Sequence, residues 1–136
     1  MTMNRREFIA VACAGTLCAA GCAAVNPVPM VDAAADGSLD VPTELSKPGG
    51  QVKVRVPNAD GLVLVWKTAQ GYGAASIRCT HRGSEVHLNA EERTLDCPSH
   101  GSRFALDGKV LHGPAKTPLA AYSVTAEGSR LKIRPA

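Results

Sequence analysis

Cys79-Thr80-His81-Arg82-Gly83 and Cys97-Pro98-Ser99-His100-Gly101 place two thiols and two imidazoles in a pair of short segments, each ended by a glycine. Thiolate and imidazole are the side chains that soft and borderline metals take, so the pair reads as a metal-ligand signature. The spacing is C-x-H in one segment and C-x-x-H in the other, and each loop therefore offers one sulfur and one nitrogen. Two centres accept such a set. A tetrahedral zinc ion takes two Cys and two His, although zinc modules mostly present C-x₂₋₄-C and H-x₃₋₅-H pairs. A [2Fe-2S] cluster takes two protein ligands on each iron. With only two cysteines outside the N-terminal segment, imidazoles would replace thiolates on one of the irons. The mixed pair on each loop suits the second centre better.

In the cluster reading Cys79 and Cys97 hold the inner iron, while His81 and His100, further out on their loops, hold the outer one. Two neutral imidazoles in place of two thiolates make the centre less negative and easier to reduce. Such centres fall at roughly −150 to +300 mV, above all-cysteine ferredoxins. Each ligating imidazole keeps its second nitrogen free for a proton, so electron and proton uptake can be coupled at one group.

Beyond the ligands, Cys97-Pro98-Ser99-His100-Gly101-Ser102-Arg103-Phe104, then Asp107-Gly108, then Gly113-Pro114-Ala115 resemble the second cluster loop, the following turn and the proline loop of the Rieske iron-sulfur family. The resemblance covers about residues 40–136. It implies one [2Fe-2S] cluster per chain, bound by Cys79, His81, Cys97 and His100, with Gly113, Pro114 and Ala115 shielding it from water. Ser102 matches the family serine whose hydroxyl donates to a bridging sulfide and raises the potential. In the Rieske subunits of cytochrome bc complexes each loop adds a cysteine and the two form a disulfide; Ser84 and Ser99 occupy those places here. Phe104 stands where high-potential members have a tyrosine that donates to a cysteine sulfur. The potential implied lies below the respiratory members and above the all-cysteine ferredoxins.

The N-terminus reads Asn4-Arg5-Arg6-Glu7-Phe8-Ile9, followed by a largely apolar stretch to Val25. Paired arginines before such a stretch look like a twin-arginine export signal, with an ordinary Sec signal as the alternative. A cofactor inserted before export favours the twin-arginine route, which moves folded cargo. The expected division is a signal or anchor at 1–25, a linker at 26–40 and the cluster domain at 41–136. Cys13, Cys18 and Cys22 lie within the leader and do not enter a disulfide framework. Cys22 follows Ala19-Ala20-Gly21, which resembles a lipoprotein cleavage site. Cleaved, lipidated or retained as a membrane anchor, the leader leaves the domain in the periplasm or at the outer face of the cytoplasmic membrane.

The 136 residues carry a formal charge of +3. Two basic residues and one acidic residue lie in the leader, which leaves the remainder only mildly basic. No basic stripe with interleaved aromatics occurs, so nucleic acid is not indicated. Arg78, Arg82, Arg93 and Arg103 are near the ligand loops in sequence and are candidates for steering an acidic partner. No paired carboxylate or Ser-His-Asp arrangement supports hydrolysis. His87 and His112 are left outside the ligand set, which is already complete.

Between 26 and 40 there are Pro27, Pro29, Ala33-Ala34-Ala35 and Gly37 without apolar periodicity, the reading of a linker. Gln51-Val52-Lys53-Val54-Arg55-Val56 alternates as a half-buried strand should, and a turn separates it from Leu62-Val63-Leu64-Val65-Trp66. Further strands are expected at 74–78, 86–88 and 93–96, with a closing hairpin from 121–125 and 130–134 around Glu127-Gly128-Ser129. No helix-length amphipathic pattern and no internal repeat occurs. The fold class expected is all-β, small antiparallel sheets with the cluster held by two loops at one tip. A core this thin in aromatics gains from a metal staple.

These readings imply an electron-transfer protein, or an oxidoreductase subunit without its own substrate site. Its donor would be a quinol or a periplasmic dehydrogenase, and its acceptor a c-type or similar cytochrome. The alternatives are the small subunit of an arsenite-oxidase-like complex and the ferredoxin component of a dioxygenase. Replacing Arg5-Arg6 by Lys-Lys tests the export reading. The variant is expected to accumulate in the cytoplasm on fractionation, because the twin-arginine receptor reads that pair; undiminished export would show a Sec signal instead.

Overall fold

The computed structural model describes residues 27–136, and the leader expected at 1–25 lies outside them. The described chain is all-β apart from one 3-10 turn, Thr43–Ser46. Its strands are β1 (Met30–Asp32), β2 (Ser38–Asp40), β3 (Gln51–Arg55), β4 (Leu62–Lys67), β5 (Tyr72–Ser76), β6 (His87–Asn89), β7 (Thr94–Asp96), β8 (Arg103–Ala105), β9 (Val110–His112), β10 (Ala121–Glu127) and β11 (Arg130–Pro135). A seven-stranded sheet runs β1-β3-β4-β5-β10-β11-β2, and a four-stranded sheet runs β6-β7-β8-β9.

The stretch expected as a linker forms strand instead. β1 lies parallel to β3 with Val31 opposite Val54, and β2 lies antiparallel to β11 with Leu39 opposite Leu131. Each is three residues long and sits at an edge of the larger sheet. A segment so short among alanines and glycines shows no period of two. Its pairing is supplied by distant backbone, which local pattern does not report. The same reason hid β8 and β9, which flank a turn through Asp107-Gly108, where Gly108 takes φ +91° and Lys109 N–H donates to Asp107 Oδ1 at 3.1 Å. The closing hairpin has a two-residue turn, since Glu127 pairs with Arg130. Gly128 takes φ +63° there, as the first central position of a type II′ turn requires.

Two cores divide the molecule. One gathers Leu39, Leu45, Val52, Val54, Val63, Val65, Leu131 and Ile133 inside the larger sheet. The other gathers Leu64, Trp66, Ile77, Val86, Leu95 and Phe104 with Cys79 and Cys97 between the sheets. β4 belongs to both, and this explains why its sequence is a continuous apolar run whereas β3 alternates. Val63 and Val65 point to one core, Leu64 and Trp66 to the other, and all four are buried.

Gly73 pairs directly with Trp66, and a Cβ built on it would overlap the indole ring. Gly73→Ala should therefore displace the ring at a cost of about 1–3 kcal/mol, the range for overpacking a filled core. Trp66 is the only tryptophan, so a lowered Tm with a shifted intrinsic emission spectrum is the expected outcome.

Candidate metal centre

The two ligand segments cap two hairpins of one design. In the first, Arg78 faces Glu85 across an isolated bridge, Val86 N–H donates to the Ile77 carbonyl at 2.8 Å, and Cys79 N–H donates to the Ser84 carbonyl at 2.8 Å. In the second, Asp96 faces Arg103 and Leu95 faces Phe104, and Cys97 N–H donates to the Ser102 carbonyl at 2.8 Å. Each loop is then closed from inside. Gly83 N–H donates to the Cys79 carbonyl at 2.8 Å and Gly101 N–H to the Cys97 carbonyl at 3.0 Å. The two glycines take φ +78° and +81°, a left-handed conformation that glycine adopts without a Cβ penalty.

These closures sort the four side chains by depth. Cys79 and Cys97 sit where the loops leave their stems, 2% and 3% exposed, and both are free thiols. His81 is half-buried and His100 exposed, nearer the loop tips. Their ring centroids are 4.9 Å apart in an edge-to-face arrangement at 86°, so the chain brings the imidazoles of separate loops together. Desolvation holds the His81 pKa below its ordinary value, and the charges of His100 and Arg82 push in the same direction. This favours the neutral imidazole that metal ligation uses. Among the described residues no three His, Cys, Asp or Glu side chains gather closely enough to hold a single metal ion. A binuclear cluster needs no such gathering, because its ligands come two to each end.

Residues 113–119 close over the same tip. Ala115 N–H donates to Ser102 Oγ at 3.0 Å, and Thr80 Oγ1 donates to the Thr117 carbonyl at 2.7 Å, so one hydroxyl from each ligand loop holds this segment. Ala115 and Leu119 are buried, whereas Pro114 is exposed. Ser102 is fully buried. Because its oxygen accepts from Ala115, its own proton remains to be given to a further acceptor, and no protein acceptor for it occurs among the described residues. A buried hydroxyl proton beside two buried thiols fits the sulfides of an iron-sulfur cluster.

Thr80 was not legible as part of the site, since nothing in the sequence brings it to Thr117. The four arginines separate. Arg78 pairs with Asp60 at 3.2 Å, Arg103 with Asp96 at 3.1 Å and also with Glu92, and Arg93 lies at the end of β7 opposite Cys97. Arg82, exposed next to His81, makes no ion pair among the described residues. Two of the four arginines expected from sequence to form a cationic cluster are thus neutralised. His87 and His112 are exposed on edge strands of the smaller sheet.

Fold and tip together define a small β-protein whose metal centre is carried by paired hairpin loops. The family model for the Rieske [2Fe-2S] domain matches residues 38–123, more than half of the chain, and the chain belongs to that family and binds a [2Fe-2S] cluster. It is 42% identical over 64 residues to the cytochrome b6-f complex iron-sulfur subunit of Synechococcus sp. (strain JA-3-3Ab), covering 47% of this chain and 37% of that protein. With cytochrome b6-f complex iron-sulfur subunit 1 of Trichormus variabilis it shares 28% over 153 residues, covering 98% and 85%. Among solved structures it resembles the cyanobacterial plasma membrane Rieske protein PetC3 from Synechocystis PCC 6803, with TM-score 0.56 and 32% identity over 62% of this chain and 86% of that one. The ferredoxin of carbazole 1,9a-dioxygenase from Nocardioides aromaticivorans IC177 superposes with TM-score 0.60 and 26% identity over 73% and 98%. The chain spans about a third to a half of the Synechococcus and Chlorobaculum tepidum subunits it matches, at 37% and 47% of their lengths.

Ser102→Ala should lower the midpoint potential with the cluster retained, because reduction adds negative charge that the hydroxyl proton stabilises. A charge-assisted bond of about 1.5–3 kcal/mol sets an upper scale of roughly 65–130 mV for one electron. Phe104→Tyr should shift the potential the other way. Protein-film voltammetry on the two variants checks both signs.

Proposed function

We propose that this chain is an exported one-electron carrier in which Cys79 and Cys97 bind the inner iron and His81 and His100 the outer iron. The cluster, when bound, supplies a single-electron couple. The observation that carries the reading is the gradient of depth across the four side chains. Cys79 and Cys97 are closed off by Ala115, Leu119 and Phe104, which exclude water. His81 and His100 are the part of the site that a partner protein can touch. The outward nitrogen of each imidazole is available to hold a proton next to that partner, a suitable arrangement for a quinol donor. Similarity to cytochrome b6-f iron-sulfur subunits and to a plasma membrane Rieske protein supports a quinol or dehydrogenase donor, a cytochrome-like acceptor and work at a membrane face. Among the described residues no helix is long and apolar enough to cross a membrane, so attachment in this reading rests on the segment at 1–25.

One observation favours a second reading. A dioxygenase ferredoxin is covered over 98% of its length, and the two described cysteines of this chain are free, with no disulfide at its loops. The export-type leader separates the two readings, since a dioxygenase ferredoxin serves a partner inside the cell. Co-purification from membranes with a cytochrome supports the first reading, and reduction by a cytoplasmic flavoprotein reductase supports the second.

Iron and acid-labile sulfide in equal amounts are expected in natively expressed, anaerobically purified protein. The reduced state should give an electron-spin resonance spectrum of low average g, and His81→Ala or His100→Ala should abolish it. Zinc without sulfide would overturn the reading as an electron carrier.

A further inference from the structure

The two ligand hairpins superimpose residue for residue in their hydrogen bonding, and the equivalence reaches a side chain the ligand set does not use. Counting from each cysteine, the residue before it faces the residue six after it: Arg78 with Glu85 and Asp96 with Arg103. The residue two before faces the residue seven after, Ile77 with Val86 and Leu95 with Phe104, and all four are buried in the core between the sheets. Side chains alternate between the faces of a strand. Each cysteine therefore shares the core-facing side with the residue directly opposite it, five positions on, whose carbonyl accepts the cysteine N–H. In the second hairpin that residue is Ser102. In the first it is Ser84, also a serine. Ser84 is half-buried, and its hydroxyl makes no side-chain hydrogen bond to any described residue.

From this equivalence we infer that Ser84 is a second hydroxyl donor to the metal centre, acting on the Cys79 side as Ser102 does on the Cys97 side. It is a positioning and tuning residue and not a ligand. The inference rests on the assignment of Cys79 and Cys97 as cluster ligands. Ser102 is fixed by the Ala115 N–H at 3.0 Å, whereas Ser84 has no such anchor and is partly open to water, which competes for its proton. Its influence on the centre is accordingly smaller than that of Ser102 and is felt through the Cys79 sulfur and the sulfide nearest to it.

The experiment compares Ser84→Ala, Ser84→Thr, Ser102→Ala and the double alanine variant in the cluster-loaded chain. The midpoint potential is read by protein-film voltammetry, and the iron–sulfur stretching bands by resonance Raman in H₂O and D₂O. Ser84→Ala should lower the potential by less than Ser102→Ala does. Ser84→Thr, which keeps the hydroxyl, should restore it. The deuterium-sensitive shift of the bands should shrink in Ser84→Ala and shrink further in the double variant. If Ser84→Ala matches the unmodified chain in potential and in deuterium sensitivity while Ser102→Ala does not, the role of Ser84 falls and the ligand assignment stands. If Ser84→Ala fails to take up a cluster, Ser84→Thr decides, since an altered potential with the hydroxyl retained also overturns the inference. Loss of the ligand assignment itself would appear in the unmodified chain as iron-free or sulfide-free protein.

Discussion

The hydrogen bond from each cysteine N–H to the carbonyl five residues on ties ligand chemistry to ordinary sheet geometry. It is the last rung of a hairpin ladder, Cys79 to Ser84 and Cys97 to Ser102, both at 2.8 Å. It fixes the direction in which the cysteine leaves the strand. Beyond that rung the loop turns within its own backbone, through a glycine with φ near +80°. Sulfur is thus delivered by the rigid end of a strand and nitrogen by the turn. The difference in depth between the cysteines and the histidines follows from backbone pairing.

Behind those rungs stands the core between the two sheets. Leu95 and Phe104 are fully buried and Val86 is 1% exposed, so both stems are clamped against Leu64 and Trp66 of β4. A domain of this size has little apolar surface to spare, and a large share of it packs around Cys79 and Cys97. The buried thiols have no disulfide to occupy them, and the proton of the Ser102 hydroxyl has no protein acceptor among the described residues.

Much of the fold was legible in the sequence. The ligand loops were marked by residue types that have few other reasons to occur together. β3 and β4 were marked by clear patterns, one alternating because one face is wet, the other continuous because both faces are buried. What escaped was either short or distant. β1 and β2 are three residues each among alanine and glycine, and they exist as strands because Val54 and Leu131 lie opposite them. Thr80 joins the site only because the chain returns 37 residues later to place the Thr117 carbonyl beside it. The arginines near the loops looked like a cationic surface, yet sequence proximity does not report Asp60 and Asp96, which neutralise two of them.

The two ligand loops have equal length and equal closure, yet His81 is the third residue of its loop and His100 the fourth. A pair of hairpins related by strict two-fold symmetry would present two interchangeable nitrogens to anything approaching from outside. The one-residue offset makes the pair handed. One imidazole is half-buried beside Arg82 and the other stands open to solvent, so an approaching molecule meets two inequivalent entrances. A single residue of spacing is enough to make the two sides of the tip inequivalent.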